Sequence, residues 1–187
     1  TSSSATQVGS TTINIDAEKG IETTSCSAGT WQGQTGSTSC NQASPGHYVY
    51  GIGASSQTAC SPGYYQPNSG QTGCIIASSG YFVAYPASTS QTAAGPGHYV
   101  NGTGAISQTQ CTIGTYQPSS GAVDCLDASP GYYVTDFASE DQTPCAAGTY
   151  QIMSGSTSCF QAGPGFHVPS EGSDSQQQCQ PGTFSSQ

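Results

Sequence analysis

Cysteine is the residue type in this sequence whose number and spacing point most directly to covalent chemistry. The chain has nine cysteines, and successive ones lie 14 or 20 residues apart, except for one gap of 37 between Cys74 and Cys111. No two cysteines have the C-x-x-C spacing of common zinc and thioredoxin-like motifs. Because a polar chain with this many cysteines is typical of an oxidising compartment, the spacing predicts structural disulfides.

The spacing becomes regular when the chain is divided every 17 residues from Cys26. Position 4 of each repeat is then Gly, and position 6 is aromatic or His. Repeats 1 to 10 begin at Cys26, Ala43, Cys60, Ala77, Ala94, Cys111, Ala128, Cys145, Ala162 and Cys179. The position-6 residues form a predicted aromatic spine of Trp31, Tyr48, Tyr65, Phe82, Tyr99, Tyr116, Tyr133, Tyr150, His167 and Phe184.

Positions 1 and 15 vary together. Repeats 1, 3, 6 and 8 have Cys at both (the cysteine repeats), whereas repeats 2, 4, 5, 7 and 9 have Ala and Gln (the glutamine repeats). Position 7 follows the same division, with Gln in the first class and Val in the second. This covariation indicates that positions 1 and 15 are in contact. In the glutamine repeats, Gln at position 15 would replace the disulfide with a hydrogen bond to the backbone. The covariation predicts the disulfides Cys26–Cys40, Cys60–Cys74, Cys111–Cys125 and Cys145–Cys159, with Cys179 unpaired in this chain.

The elements that must position these cysteines are short. Six repeats have Pro-Gly at positions 3 and 4, which predicts a type II turn with a positive φ at Gly. An extended piece, a Gly/Ser/Pro loop and a second extended piece ending at position 15 would complete a hairpin that is too small to be stable alone. Stacked hairpins would bury the position-6 aromatic side chains. We therefore expect an all-β, small disulfide-rich fold: an elongated, solenoid-like ladder of 17-residue hairpins over residues 26–187, whose tenth repeat is incomplete.

Residues 1–25 do not fit the period. The stretch TTINID alternates apolar and polar residues, so it predicts one β-strand in an N-terminal arm or cap, with an unstructured leader as the alternative.

Composition excludes several classes of function. Only 33% of residues are hydrophobic, 6% are charged and the net charge is −9, which argues against one large core and against nucleic acid or an anionic membrane as a partner. The apolar runs are too short to predict a transmembrane segment. Secretion, to the extracellular space or the cell surface, is the location that fits both the cysteines and the polarity.

The sequences CTIGTYQPSSGAVDC and CAAGTYQIMSGSTSC resemble the C-x-x-G-T-Y…G…C units of ephrin-receptor-like (GCC2/GCC3) repeats. They are also similar to the first module of tumour-necrosis-factor-receptor cysteine-rich domains. The resemblance covers residues 26–187 and departs where Ala and Gln replace the two cysteines. It implies an extracellular β-hairpin ladder, used as a stalk or an interaction surface, without catalysis.

The histidine and acidic residues, which could bind a metal ion, show no metal-binding spacing in the sequence. His47, His98 and His167 lie three or four repeats apart, which favours surface roles over a metal site. Seven of the ten acidic residues fall between Asp124 and Asp174 without EF-hand spacing, which favours a solvated acidic face, with weak Ca²⁺ binding as the alternative. We expect no enzyme activity and no cofactor.

These patterns predict a secreted structural protein that builds a fibre, stalk or surface appendage. Its expected partner is itself, as a head-to-tail polymer or as one segment of a longer chain. The alternative is an adhesin or receptor-type ectodomain, because aromatic pairs such as Tyr64-Tyr65 could stack on sugars and position 5 is the expected exposed face. Asn101 begins an N-glycosylation sequon, and the many Ser and Thr residues are candidate O-glycan sites.

Overall fold

The structure, a computed structural model, describes residues 12–16 and 21–184. Across these residues it contains no helix, and twenty short strands pair two by two into ten antiparallel hairpins. Four disulfides recur at one place in the repeat. The predicted class, an all-β and small disulfide-rich fold of repeated hairpins, is confirmed.

The strands that precede the repeats are β1 (Thr12–Asp16) and β2 (Ile21–Ser25), each five residues long. Every later strand has two residues, and they alternate between a first and a second strand of each repeat. The first strands are β3 (Thr30–Trp31), β5 (His47–Tyr48), β7 (Tyr64–Tyr65), β9 (Tyr81–Phe82), β11 (His98–Tyr99), β13 (Thr115–Tyr116), β15 (Tyr132–Tyr133), β17 (Thr149–Tyr150) and β19 (Phe166–His167). The second strands are β4 (Asn41–Gln42), β6 (Thr58–Ala59), β8 (Ile75–Ile76), β10 (Thr92–Ala93), β12 (Thr109–Gln110), β14 (Leu126–Asp127), β16 (Thr143–Pro144), β18 (Phe160–Gln161) and β20 (Gln177–Gln178).

The N-terminal segment contains two strands where the sequence predicts one. Strand β1 pairs with β2 in its own chain, with Thr12 opposite Ser25 and Asp16 opposite Ile21. The alternative, an unstructured leader over residues 1–25, is wrong for residues 12–16 and 21–25, which form these strands, while residues 1–11 and 17–20 lie outside the described part of the chain.

The hairpins share one register, which places the second strand beyond its predicted position. In repeat 6, Thr115 pairs with Asp127 and Tyr116 with Leu126, so positions 5 and 6 face positions 17 and 16. The same register occurs in repeats 1, 2, 3, 5, 7, 8 and 9. The prediction that the second extended piece ends at position 15 is therefore wrong. Position 15 is tied to position 1 or 2 by its side chain, so the ladder begins only after it.

The turn that opens each hairpin has the geometry predicted from Pro-Gly. Glycine at position 4 has a positive φ, between 71° and 87°, in all ten repeats. The N–H of position 5 donates to the carbonyl of position 2, as from Thr115 to Thr112 at 3.0 Å. Turns without proline, such as the one at Gly114, have the same positive φ, because glycine supplies it at no steric cost.

Backbone hydrogen bonds join consecutive repeats. From the junction of repeats 1 and 2 to that of repeats 8 and 9, the same four bonds recur, with N···O distances between 2.7 and 3.1 Å. At the junction of repeats 6 and 7, Gly114 donates to Val134, Gln117 to Ser139, Ala128 to Gly114 and Ala138 to Cys111. Each repeat therefore satisfies much of its neighbour's backbone, as a stacked repeat architecture requires.

The core is made of small side chains. Positions 1 and 7 supply the buried hydrophobic residues: Cys26, Ala43, Val49, Cys60, Ala77, Val83, Ala94, Val100, Cys111, Ala128, Val134, Cys145 and Val168. The position-6 side chains are half-buried in repeats 1 to 9, and Phe184 is exposed. Stacking therefore buries the position-6 side chains only in part, and the fully buried positions are 1 and 7.

Close packing reaches beyond the nearest neighbour. A Cβ atom added to Gly63 at position 4 would collide with the carbonyl oxygen of Gly104, at position 11 two repeats later. The same collision recurs from Gly29 to Gly131. Position 11 itself has a positive φ in repeats 1 to 9, supplied by Gly except at Ala87 (56°) and Ala138 (55°).

The chain forms two compact units. The first contains residues 1–77, 83–92 and 104–106, and the second contains residues 78–82, 93–103 and 107–187. Each of the inter-repeat bonds and close approaches described above lies within one unit.

Candidate functional site

The four disulfides join the pairs that the covariation predicts. They are Cys26–Cys40, Cys60–Cys74, Cys111–Cys125 and Cys145–Cys159, with Cα–Cα distances of 5.7 or 5.8 Å. These distances are typical of unstrained disulfides. The position-1 sulfur atoms belong to buried residues, and the position-15 cysteines are half-buried.

In the glutamine repeats, the side chain at position 15 holds the same place through a hydrogen bond. The Oε1 atom of Gln57 accepts from the backbone N–H of Ser44 at 2.7 Å, and Gln108 accepts from Gly95 at 2.8 Å. Gln142 and Gln176 bond in the same way to Ser129 and Gly163. The predicted replacement of a disulfide by a glutamine–backbone bond is confirmed in these repeats.

The structure explains why position 7 varies together with positions 1 and 15. In the cysteine repeats its glutamine spans the loop: Gln117 Nε2 donates to the carbonyl of Asp124 at 2.8 Å, and its Oε1 accepts from the N–H of Ser119 at 3.0 Å. Gln66 and Gln151 do the same. These glutamines are buried with both ends of the amide satisfied, whereas the glutamine repeats bury Val at this position.

The aromatic residues at position 6 are half-buried in repeats 1 to 9. Among the described residues, only Tyr150 and Phe160 form a ring pair, with centroids 6.0 Å apart. Tyr150 lies at position 6, and Phe160 is its partner across the hairpin. Position 5 is also half-buried in eight of the nine complete repeats and exposed only at Tyr64 among them, so it does not form the exposed face that the sequence predicts. Tyr132 at this position lies against Gly172, at position 11 two repeats later, and Tyr81 lies against Gly121 in the same way.

The histidines stay apart. Nδ1 of His47 lies 3.2 Å from the carbonyl of Pro45, and Nδ1 of His98 lies 3.0 Å from that of Pro96. His167 Nδ1 lies 4.0 Å from the sulfur of Cys179, the one free cysteine among the described residues. No group of three or more His, Cys, Asp or Glu side chains that could hold a metal ion occurs in residues 12–16 and 21–184.

Two of the surface cavities in the described part of the chain have titratable side chains in their walls. The larger of these, of about 720 Å³, is lined by His167, Cys179 and Phe184. The smaller, of about 400 Å³, lies between repeats 5 and 6 and carries Tyr99, Asp124 and Asp127. The sequence alone does not show that these three residues lie together, because they occupy positions 6, 14 and 17 of adjacent repeats and only the strand register brings them close.

Asn101 is exposed at position 8 of repeat 5, together with Gly102 and Thr103 of its sequon. The covariation also extends to position 16, which sequence reasoning missed. In three of the four cysteine repeats this position is an exposed apolar residue (Ile75, Leu126 or Phe160), and in the glutamine repeats it is Thr or Gln.

In the described part of the chain, no helix is long and apolar enough to cross a membrane. No protein-family model matches the chain, and no curated protein is significantly similar to it. The candidate functions below therefore rest on the repeat itself and on its surface.

Proposed function

We propose that this chain is an extracellular, non-catalytic structural protein, a building block of a secreted fibre, stalk or surface appendage that associates with itself. The observation that carries the proposal is the recurrence of the same four main-chain hydrogen bonds at each junction from repeat 1 to repeat 9. These bonds use backbone groups at positions 1, 4, 7, 11 and 12 of the repeat. The disulfides, and the resemblance of the cysteine repeats to ephrin-receptor-like units, support the extracellular assignment.

Exposed apolar side chains support self-association. Tyr50, Ile52, Tyr85 and Met153 lie in the loop at positions 8 to 10 and are between 63% and 84% exposed. Exposed apolar groups mark contact surfaces where they form a contiguous patch, so these loop residues are the candidates for such a surface.

Negative-stain microscopy and sedimentation of the purified oxidised protein test this proposal. We expect ordered polymers at high protein concentration, and we expect the variant Gly73→Ala to form them too, because a Cβ there meets no neighbour. The variant Gly63→Ala, which blocks the approach of Gly104, should form none. A species that stays monomeric at every concentration contradicts the proposal.

A second candidate function is that of an adhesin, which binds glycans through the uncovered parts of the half-buried aromatic residues at position 6. Aromatic faces at a regular spacing suit the repeating apolar faces of a polysaccharide. Saturable binding to a glycan array by a monomeric protein would favour this function over the fibre.

Asn101 is the proposed N-glycan site of the secreted protein, because its sequon is exposed. Expression through a eukaryotic secretory pathway should give a mass above that of the 18.9 kDa chain, which peptide N-glycosidase F lowers. Asn101→Gln should abolish the shift, and the exposed Asn68→Gln, which is not in a sequon, should leave it unchanged. A bare chain mass from the secreted protein contradicts this assignment.

A further inference from the structure

Each disulfide joins two cysteines that are consecutive in the sequence, 14 residues apart. No two cysteine repeats are neighbours, since a glutamine repeat follows each of repeats 1, 3, 6 and 8. The first cysteine after each closed pair is therefore 20 or 37 residues further on, at Cys60, Cys111, Cys145 and Cys179. In two adjacent cysteine repeats, the wrong cysteine would be closer than the native partner.

Distance along the chain does not by itself select the native pairs. In a flexible chain, a loop of 14 residues closes less than about twofold more often than a loop of 20 residues. Oxidation of a chain whose cysteines are all exposed would therefore give a mixture that includes Cys40–Cys60. Another influence must exclude such pairs.

The folded repeat cannot exclude them while the chain is still emerging. The N–H of Gly29 donates to the carbonyl of Val49 in the next repeat at 2.8 Å, and Gly29 lies close to the carbonyl of Gly70 two repeats later. Both partners follow Cys40 in the sequence, so neither is present when Cys26 and Cys40 are first exposed together. A hairpin of two-residue strands is not stable without such neighbours.

The order in which the cysteines emerge does exclude the wrong pairs. A chain that is made and exported from its N-terminus exposes Cys26 and then Cys40 before Cys60. The first pair can close alone if oxidation takes less time than the synthesis of 20 residues, which is about 1 to 4 s at about 5 to 20 residues per second. Uncatalysed disulfide exchange takes minutes to hours, so this order requires an enzyme.

Burial protects the pairs once they are made. The position-1 cysteines Cys60, Cys111 and Cys145 have no exposed surface, and Cys26 is 5% exposed. Disulfide exchange requires a thiolate to reach a sulfur atom. Packing of the repeats therefore shields the native disulfides from the free thiol of Cys179.

We propose that this chain is the substrate of a protein thiol oxidase that joins its cysteines in the order in which they emerge, and that it needs no disulfide isomerase. The thiolate of Cys26 attacks the disulfide of the oxidase and forms a mixed disulfide. The thiolate of Cys40 then attacks the sulfur of Cys26 and releases the oxidase as a dithiol. Two thiols of the chain are oxidised, and the enzyme takes up two electrons and two protons. The inference goes beyond the function proposed above and does not depend on polymer formation.

Export of the full chain into the bacterial periplasm tests the proposal, with host strains that lack the periplasmic thiol oxidase or the disulfide isomerase. After alkylation of free thiols, mass spectrometry of peptic peptides identifies the disulfides, because thiols are protonated and unreactive at the low pH of pepsin digestion. We expect the four native disulfides whether or not the isomerase is present. Loss of the oxidase should remove most of them.

Removal of one cysteine separates the effect of order from that of the fold. In Cys26→Ala, the oxidase should join Cys40 to Cys60 in the strain without isomerase, and the later pairs should shift in the same way. The isomerase should restore the native disulfides of repeats 3, 6 and 8. The matched variant Cys26→Ala/Cys40→Gln loses the same disulfide, but it should form the native pairs without isomerase, because no cysteine is left over.

Cys145→Ala repeats the test with less disturbance of the chain. Without isomerase, Cys159 should join Cys179, while the disulfides of repeats 1, 3 and 6 stay native.

Three outcomes would overturn the proposal. One is the loss of native disulfides from the unaltered chain in the strain without isomerase. Another is a free Cys40 thiol in Cys26→Ala, or a free Cys159 thiol in Cys145→Ala, with all other pairs native in that strain, because the fold would then select the pairs. The third is complete native pairing in the strain without the oxidase, which would show that no enzyme is required.

Discussion

At the scale of single residues, two chemically different pairs solve one structural problem. A disulfide in Cys111–Cys125 and a hydrogen bond from the N–H of Gly95 to the side chain of Gln108 both hold position 15 beside the start of the repeat. The disulfide acts mainly by restricting the unfolded chain, while the glutamine gains one net hydrogen bond of about 1 kcal/mol. The link between position 15 and the start of the repeat is therefore stronger in the cysteine repeats than in the glutamine repeats.

Gly63→Ala should be strongly destabilising. The new Cβ would collide with the carbonyl oxygen of Gly104, and alanine is unfavourable at the φ of 84° found there. We expect a loss of about 3 kcal/mol or more in the free energy of unfolding. Urea unfolding followed by circular dichroism measures it, with Gly73→Ala as the neutral control. Equal stability of the two variants would show that the repeats do not approach as described.

Ala138→Gly should be stabilising, which is unusual for this substitution. Ala138 has a φ of 55°, in the left-handed region, at a position where most repeats have Gly. Release of this strain should exceed the added entropy of the unfolded chain and raise the free energy of unfolding by about 1 kcal/mol. Ala146→Gly, at an alanine outside the left-handed region, should lower it in the same thermal or urea experiment. A loss at both positions would contradict the argument.

At the scale of the hairpin, the two classes share one backbone. Repeats 5 and 6 have the same strand register and the same turn, although only repeat 6 has a disulfide. A glutamine repeat should therefore accept the cysteines of its neighbour without rearrangement.

The double variant Ala94→Cys/Gln108→Cys should form a fifth disulfide in repeat 5. Positions 1 and 15 in repeat 6 have Cα atoms 5.8 Å apart, which suits a disulfide. Closing a loop of this length is worth about 3 kcal/mol, less about 1 kcal/mol for the lost bond from Gly95 N–H to Gln108. We expect the free energy of unfolding to rise by about 2 kcal/mol, measured in urea with and without reductant. The single variant Ala94→Cys should show no gain, and a double variant whose thiols remain free would mean that the two classes differ in backbone.

At the scale of the whole molecule, stability should be uneven along the chain. Disulfides occur in repeats 1, 3, 6 and 8, so the longest stretch between disulfide-bonded cysteines runs from Cys74 to Cys111 and includes the strained Ala87. From repeat 1 to repeat 9, neighbouring repeats stabilise one another through the same four bonds, so the missing disulfide is the main difference.

Hydrogen exchange should reveal this stretch as the first to open. We expect the amides at the junction of repeats 4 and 5, such as Gly80 and Val83, to exchange faster than the equivalent Gly114 and Gln117 of repeat 6. Reduction of the disulfides should remove most of this difference in exchange rate, because the disulfides are the main difference between these repeats. Uniform exchange in the oxidised protein would contradict the prediction.

The sequence by itself determined the repeat, its turn and its staples. Cys, Gly and the pair of Ala with Gln recur at fixed positions because their roles are local: a disulfide, a positive φ and a short-range hydrogen bond each need one residue type. The disulfide partners of Cys26, Cys60, Cys111 and Cys145 could therefore be inferred from covariation within one chain.

The tertiary structure decided what packs against what. Rings recur at position 6 and look like the core in the sequence, yet they are half-buried, and the fully buried positions are 1 and 7. The bond from Gly114 to Val134 and the close approach of Gly63 to Gly104 show how near the backbones of stacked repeats lie. The second strand lies at positions 16 and 17, and Tyr99, Asp124 and Asp127 share a cleft, because the register and the stacking bring distant positions together. Such contacts depend on the distance between neighbouring repeats, which no local preference of the chain specifies.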